Sequence, residues 1–106
     1  MQGPDHADVR AARCNLAGAF QQAGRVSEAV QQYERALADS ERMRGPGDTE
    51  TLTTRVSLAS ARYAGGRLEE AVAVLQLALA DSEHYLGPDH PMTKTVRDNL
   101  DAAMQT

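Results

Sequence analysis

The sequence predicts an all-α fold built from stacked helical pairs, and three observations predict it. The chain matches itself without a gap when shifted by 42 residues. Within each unit, apolar residues recur at three- and four-residue spacing, the period of an amphipathic helix. The composition is rich in alanine and poor in bulk: aromatics make up 4% of 106 residues, with no Trp and one Phe. That balance suits closely approaching helices better than a sandwich of β-branched strands.

The self-match is detailed. Gly3 falls on Gly45 and Gly87, and Pro4 on Pro46 and Pro88. NLAGAFQQAGRVSEAVQQYERALADSE from Asn15 lies over SLASARYAGGRLEEAVAVLQLALADSE from Ser57. Units 3–44 and 45–86 agree at 17 of 42 positions, and the half unit 87–106 repeats 9 of its 20 from the first. Unrelated chains would share roughly two or three in a stretch of that length. Such self-similarity marks a repeat architecture in which each unit buries its apolar faces against its neighbours. A single domain over residues 1–106 is expected, with two full units and a closing half unit.

Each unit reads as two helices. The first spans about 8–22, with Val9, Ala12, Leu16, Ala19, Phe20 and Ala23 forming its apolar stripe, and Gly24 ends it. The second spans about 27–43, with Ala29, Val30, Tyr33, Ala36, Leu37 and Met43 on one side. Ser27 is expected to cap it, and Glu28 suits the positive end of the helix dipole. The second unit repeats this with Leu58, Ala59 and Ala61, then Leu68, Ala71, Val72, Leu75, Ala78, Leu79 and Leu86; a fifth helix covers about 91–104. Gly-Pro sits at each seam, where glycine ends a helix and proline prevents its continuation. Asp5, Asp48 or Asp89 is expected to cap the helix that follows. The Asp-His pairs at 5–6 and 89–90 read as seam residues rather than as a metal or acid–base site, because the middle seam, Gly-Pro-Gly-Asp, has lost the His.

Charge and composition exclude several function classes. A net charge of −4, with Lys94 the single lysine, is the opposite of a phosphate-binding footprint, so no nucleic-acid partner is expected. No apolar run approaches the roughly 18 residues that span a bilayer, and the N-terminus lacks a basic-then-apolar signal pattern. Cys14 is the only cysteine, so neither an internal disulfide nor a cysteine zinc site is expected, and a reducing cytoplasm is the expected compartment. No nucleophile, base and acid converge. The helix of Cys14 offers no nearby His or carboxylate base, although Arg10 and Arg13 lie near it. Gly65-Gly66 is an interhelix turn without the Lys and Ser/Thr of a phosphate loop. A non-catalytic protein without cofactor or metal follows.

The stretch LAGAFQQAGRVSEAVQQYERAL, from Leu16 to Leu37, resembles the tetratricopeptide repeat. The resemblance rests on Leu16, Ala17, Phe20, Gly24, Ala29, Tyr33 and Ala36, and on Leu58, Ala59, Gly66, Ala71 and Ala78 in the second unit. The usual repeat has about 34 residues. The 42-residue period here is closer to the long repeats of kinesin light chain and of many bacterial proteins. Arg62 departs from the pattern where Phe20 stands in the first unit, as does Leu75 where Tyr33 stands. The Arg62 substitution is expected either to loosen the third helix or to turn Tyr63 toward a different surface.

The resemblance implies a right-handed α-α superhelix of five helices, the last a capping helix. It also implies a concave groove, lined by the first helix of each unit, that holds a peptide or partner protein. The groove positions it implies are Ala11, Cys14, Asn15, Gly18, Gln21 and Gln22 in the first unit. Thr53, Val56, Ser57, Ser60, Tyr63 and Ala64 follow in the second, then Thr95, Asp98, Asn99 and Ala102 in the last helix. Asn15 and Asn99 stand where relatives present an amide to a ligand backbone. The lysine clamp of the carboxylate-binding subtype is missing, since Ala11, Thr53 and Thr95 hold those places. A second reading is an assembly module. Arg13, Arg55 and Arg97 recur at the same period, and Arg55 and Arg97 are expected to reach Asp39, Glu41, Asp81 or Glu83 on the preceding helices. Arg13 has no preceding unit, so Val9 and Arg13 mark an open edge suited to a longer parent protein or to a homo-oligomer. At the other end Asp101 replaces Ala17 and Ala59, with Asp98 beside it, as suits a helix that nothing further covers.

Overall fold

The computed structural model describes residues 6–105, with side chains described from Arg10 onward. The expected caps at Asp5 and the side chain of Val9 therefore lie outside the described residues. The described residues fold as five helices: α1 (His6–Gln22), α2 (Val26–Arg44), α3 (Thr49–Ala64), α4 (Leu68–Leu86) and α5 (Pro91–Met104). Each helix packs on the next, and α3 also reaches α5. The smallest dimension of the Cα trace is 17 Å, about two helix layers at ordinary interaxial spacing. The fold is the all-α repeat array expected from the sequence. None of the described helices is long and apolar enough to cross a membrane.

Two clusters make up the core. Ala17, Ala29, Val30, Tyr33, Leu58 and Ala61 join α1, α2 and α3. Leu52, Ala59, Ala71, Leu75, Ala78, Val96, Leu100 and Ala103 join α3, α4 and α5. The alanines at the crossings are nearly sealed: Ala17, Ala29, Ala36, Ala61 and Ala78 are all 0% exposed. One methyl group per contact brings helix axes to the near end of their packing range.

The turn inside each unit is set by backbone hydrogen bonding. Gly24 and Gly66 both have φ of +80°, and the following Arg25 and Arg67 donate N–H to Phe20 and Arg62 carbonyls at 2.8 Å. Gly24 and Gly66 also donate to Gln21 and Tyr63 at 3.0 Å, which completes a Schellman motif at the end of α1 and of α3. The next helix starts at once, and this corrects the cap expected at Ser27. Arg25 is the residue flanking α2, and its side chain makes no capping bond. Its guanidinium instead grips Glu28 in the first turn with bonds of 2.5 and 2.7 Å. Glu28 thus gains both a partner and the helix dipole.

The seams between units use a side-chain cap. Asp48 accepts the N–H of Glu50 at 2.8 Å and starts α3. At the next seam the cap is His90, whose Nδ1 accepts the N–H of Met92 at 3.0 Å, so the expected cap at Asp89 is corrected. Asp48 and His90 are 42 residues apart and hold the same structural place. The middle seam has therefore not lost its cap; it has exchanged imidazole for carboxylate. Its Gly47 stands where Asp89 stands, and the reason is steric: a Cβ there would lie 2.2 Å from Cγ of Tyr85.

The units are also tied by arginine. Arg55 of α3 donates to Glu41 of α2 at 2.6 Å and to Asp81 of α4, and its side chain is 11% exposed. Burial works against the guanidinium charge, but hydrogen bonds and attraction from Glu41 and Asp81 outweigh it and hold the Arg55 pKa above its ordinary value. Arg97 of α5 meets Glu83 of α4 at 3.4 Å in the corresponding way. Both contacts agree with the partners expected from the period.

Two stability measurements test the seams. His90→Ala should cost about 1 kcal/mol in urea unfolding followed by helical ellipticity, whereas His90→Asp should stay within about 0.5 kcal/mol of the parent because it copies Asp48. Gly47→Asp should cost about 1–3 kcal/mol through overpacking against Tyr85, and Tyr85→Ala should recover only part of that loss, because the Cβ it retains lies 2.5 Å from the added Cβ.

Candidate functional site

The concavity between α3 and α5, floored by α4, is a cleft of about 290 Å³. Ala59, Ala71, Leu75 and Ala103 line it as small apolar groups, and Val56 and Ala102 flank them. Ser60, Tyr63 and Asn99 bring polar atoms to it. Leu75 stands where the first unit carries Tyr33, 42 residues earlier. Tyr33 is 7% exposed in the α1–α2–α3 cluster, with its phenol pKa raised by burial and then by nearby Cys14. At the second position the shorter Leu75 lines the cleft between α3 and α5.

Several of the groove residues expected from the sequence meet here. Val56, Ser60, Tyr63, Asn99 and Ala102 all line the cleft. Tyr63 is 45% exposed. The Asn99 amide donates one hydrogen bond to the Thr95 carbonyl at 2.9 Å. Its second N–H and its carbonyl oxygen carry the remaining bonding capacity. Thr53 and Thr95 turn their hydroxyl protons onto their own helix, to the Thr49 and Pro91 carbonyls at 2.8 and 3.1 Å. Ala11, Asn15, Gln22, Ala64 and Asp98 are exposed, while Gly18, Gln21 and Ser57 are half-buried; none of these lines the cleft. Cys14 is half-buried and takes a long contact of 3.7 Å from Arg10.

Arg62 does not loosen α3. It reaches Glu34 of α2 at 2.7 Å and Glu70 of α4 at 3.7 Å, and so ties three helices together. The aromatic group of this segment is then Tyr63, one position on, at the cleft.

The second candidate surface is the outer face of α1. Positions 12, 16 and 19 of α1 correspond to 54, 58 and 61 of α3 and to 96, 100 and 103 of α5. Thr54, Leu58 and Ala61 are 1%, 3% and 0% exposed, and Val96, Leu100 and Ala103 are 0%, 8% and 6%. Ala12 and Ala19 are exposed, and Leu16 is 45% exposed. The stripe assigned to the core of the first helix is thus exposed at Ala12, Leu16, Ala19 and Ala23, which no other described helix covers. Arg13 pairs within its own unit, its Nε lying 3.4 Å from Asp39 of α2.

Sequence reading missed the contacts of Arg10, which donates to Glu50 at 2.6 Å and to Thr54 at 3.2 Å and so joins α1 to α3. Arg44 adds a second cation to Glu50 at 3.1 Å. A signal was present, since Arg10 stands at the place of the fully buried Leu52 and breaks the apolar period there.

A search of curated proteins returned no match. A family model described as the tetratricopeptide repeat matches residues 9–50 and 51–91, with the period already evident in the helices. The chain belongs to the tetratricopeptide repeat family.

Proposed function

We propose that this chain is a non-catalytic scaffold that holds an extended peptide of a partner protein along α1, α3 and α5, anchored by one apolar side chain in the α3–α5 cleft. Tetratricopeptide repeats are in general protein–protein interaction modules, and the family membership supports that coarser role. The observation that carries the finer one is the cleft itself. At about 290 Å³ it lies at the low end of small-molecule sites and suits a single aliphatic side chain. Its apolar floor rewards burial of such a group. Asn99 and Ser60 at its border can donate to and accept from a peptide backbone. Asp98 is the one charged side chain among the groove positions, so contact area rather than charge sets the preference. A reducing cytoplasm suits the lone Cys14.

The test is a random peptide display library selected on the immobilised chain. Enriched peptides should share one bulky aliphatic residue. Leu75→Tyr, which puts the first unit's ring into the cleft, should weaken them about tenfold or more. Asn15→Ala with Asn99→Ala should weaken them by about 1–3 kcal/mol through lost backbone hydrogen bonds. Peptides that bind the Leu75→Tyr chain as well as the parent would place the site elsewhere.

A further inference from the structure

The structure holds two worked examples of what covers the outer face of a first helix. On α3, Leu58 and Ala61 pack with Val30, Tyr33 and Leu37 of α2. On α5, Leu100 and Ala103 pack with Leu75, Ala78 and Leu79 of α4. In each case the covering helix carries Ala-Asp-Ser-Glu in its last two turns, at 38–41 and 80–83, and its glutamate pairs with the arginine of the covered helix: Glu41 with Arg55, and Glu83 with Arg97. Arg55 also meets Asp81 of its own unit. Arg13 has the matching contact within its unit, to Asp39, but among the described residues it has no second carboxylate of the kind Glu41 supplies to Arg55.

We infer that the outer face of α1 is a docking surface for one amphipathic helix of a partner protein, with a carboxylate in its last turn and aliphatic or aromatic residues aligned as Val30, Tyr33 and Leu37 are in α2. The apolar residues of that helix cover Leu16 and Ala19, and its terminal carboxylate completes the charge of Arg13. The exposed methyl faces of Ala12 and Ala19 let the two backbones approach as closely as α2 approaches α3. A second copy of the chain is a poor occupant on two grounds. Both of its acidic helix ends are engaged, Glu41 by Arg55 and Glu83 by Arg97. Its far end presents exposed Asp101 where Ala17 and Ala59 make packing contacts. The inference is independent of peptide binding in the cleft.

The probe is a synthetic peptide of residues 26–44, held helical by a side-chain cross-link between positions 31 and 35, whose Gln31 and Arg35 are exposed in α2. Titrated against the full chain and followed by fluorescence anisotropy, it should bind saturably at one site. Leu16→Glu should weaken binding about tenfold or more, since a charge then sits in an apolar contact. Ala19→Glu should do the same, and the exposure of both positions keeps the fold intact, checked by ellipticity. A peptide carrying Glu41→Lys should bind about threefold more weakly or worse through loss of the Arg13 pair. Leu75→Tyr in the chain should change nothing here, which separates this surface from the cleft. Absence of saturable binding would overturn the proposal, as would binding that survives both Leu16→Glu and Ala19→Glu. Light scattering that shows a dimer dissolved by Leu16→Glu would also overturn it, because a second copy would then be the occupant.

Discussion

Close approach of helices through alanine is the constraint on which the rest of this structure depends. Ala17, Ala29, Ala36, Ala61 and Ala78 have no exposed surface, and each sits where a larger side chain would force helices apart. The consequence is a thin core. Among the largest fully buried side chains, Leu52 and Val96 are the apolar ones, and the others are Thr51, Thr54, Thr93 and Ser82. A thin core is sensitive to single residues. Leu75, which stands at the place of the Tyr33 ring, lines a cleft of about 290 Å³. Asp101, at the place of the sealed Ala17 and Ala59, is exposed, and no other described helix makes the close approach there that a small apolar residue would serve.

With so little apolar bulk, polar contacts set the geometry between units. Arg55 bridges α2 and α4 from its place on α3. Ser40 and Thr51 share a buried hydroxyl contact of 2.6 Å across the first seam. The second seam differs: Ser82 turns its hydroxyl to the Ala78 carbonyl at 2.7 Å, and the Thr93 hydroxyl is buried without a partner among the described residues. Such contacts contribute little net energy when their carboxylates stay wet, yet an incorrect register would leave them unpaired. They specify the register at which the alanine faces meet.

The repeat made most of the fold legible before any coordinates. The span of α5, the breaks at Gly24 and Gly66, the cap at Asp48 and the partners of Arg55 and Arg97 all follow from period and residue type. The misreadings have physical causes. Ser27 looked like a cap because serine is a good one, but after the Schellman turn at Gly24 the next helix begins at Val26, and Arg25 already occupies the flanking place. Asp89 looked like a cap by its resemblance to Asp48. The distance to the free N–H groups decides instead, and strict 42-residue registration puts His90 there. The candidate site was half legible. The family pattern marks which side chains point to the concave face, and it places Tyr63 and Asn99 there. It does not register depth, which depends on α4 residues such as Ala71 and Leu75 that belong to the other helix of the pair.

The two candidate surfaces show separately how a repeat protein acquires individuality. At the cleft, two units share a backbone plan but differ in sequence, Tyr33 against Leu75, and the second of these lines the concavity. At the edge, sequence is the same and environment differs: Leu16, Leu58 and Leu100 are one residue type at one position, exposed at 45%, 3% and 8%. No composition or motif distinguishes the first of these leucines from the others, since burial is a property of what lies next to it. Arg13 marks the difference chemically, because it keeps the contact within its unit and lacks the one between units. A leucine at a packing position costs nothing to the helix that bears it, but exposed beside alanines it forms an apolar stripe of the kind that associates with other surfaces. In a repeat array, then, the informative comparison is between equivalent positions with unequal surroundings, and here it leads to the outer face of α1.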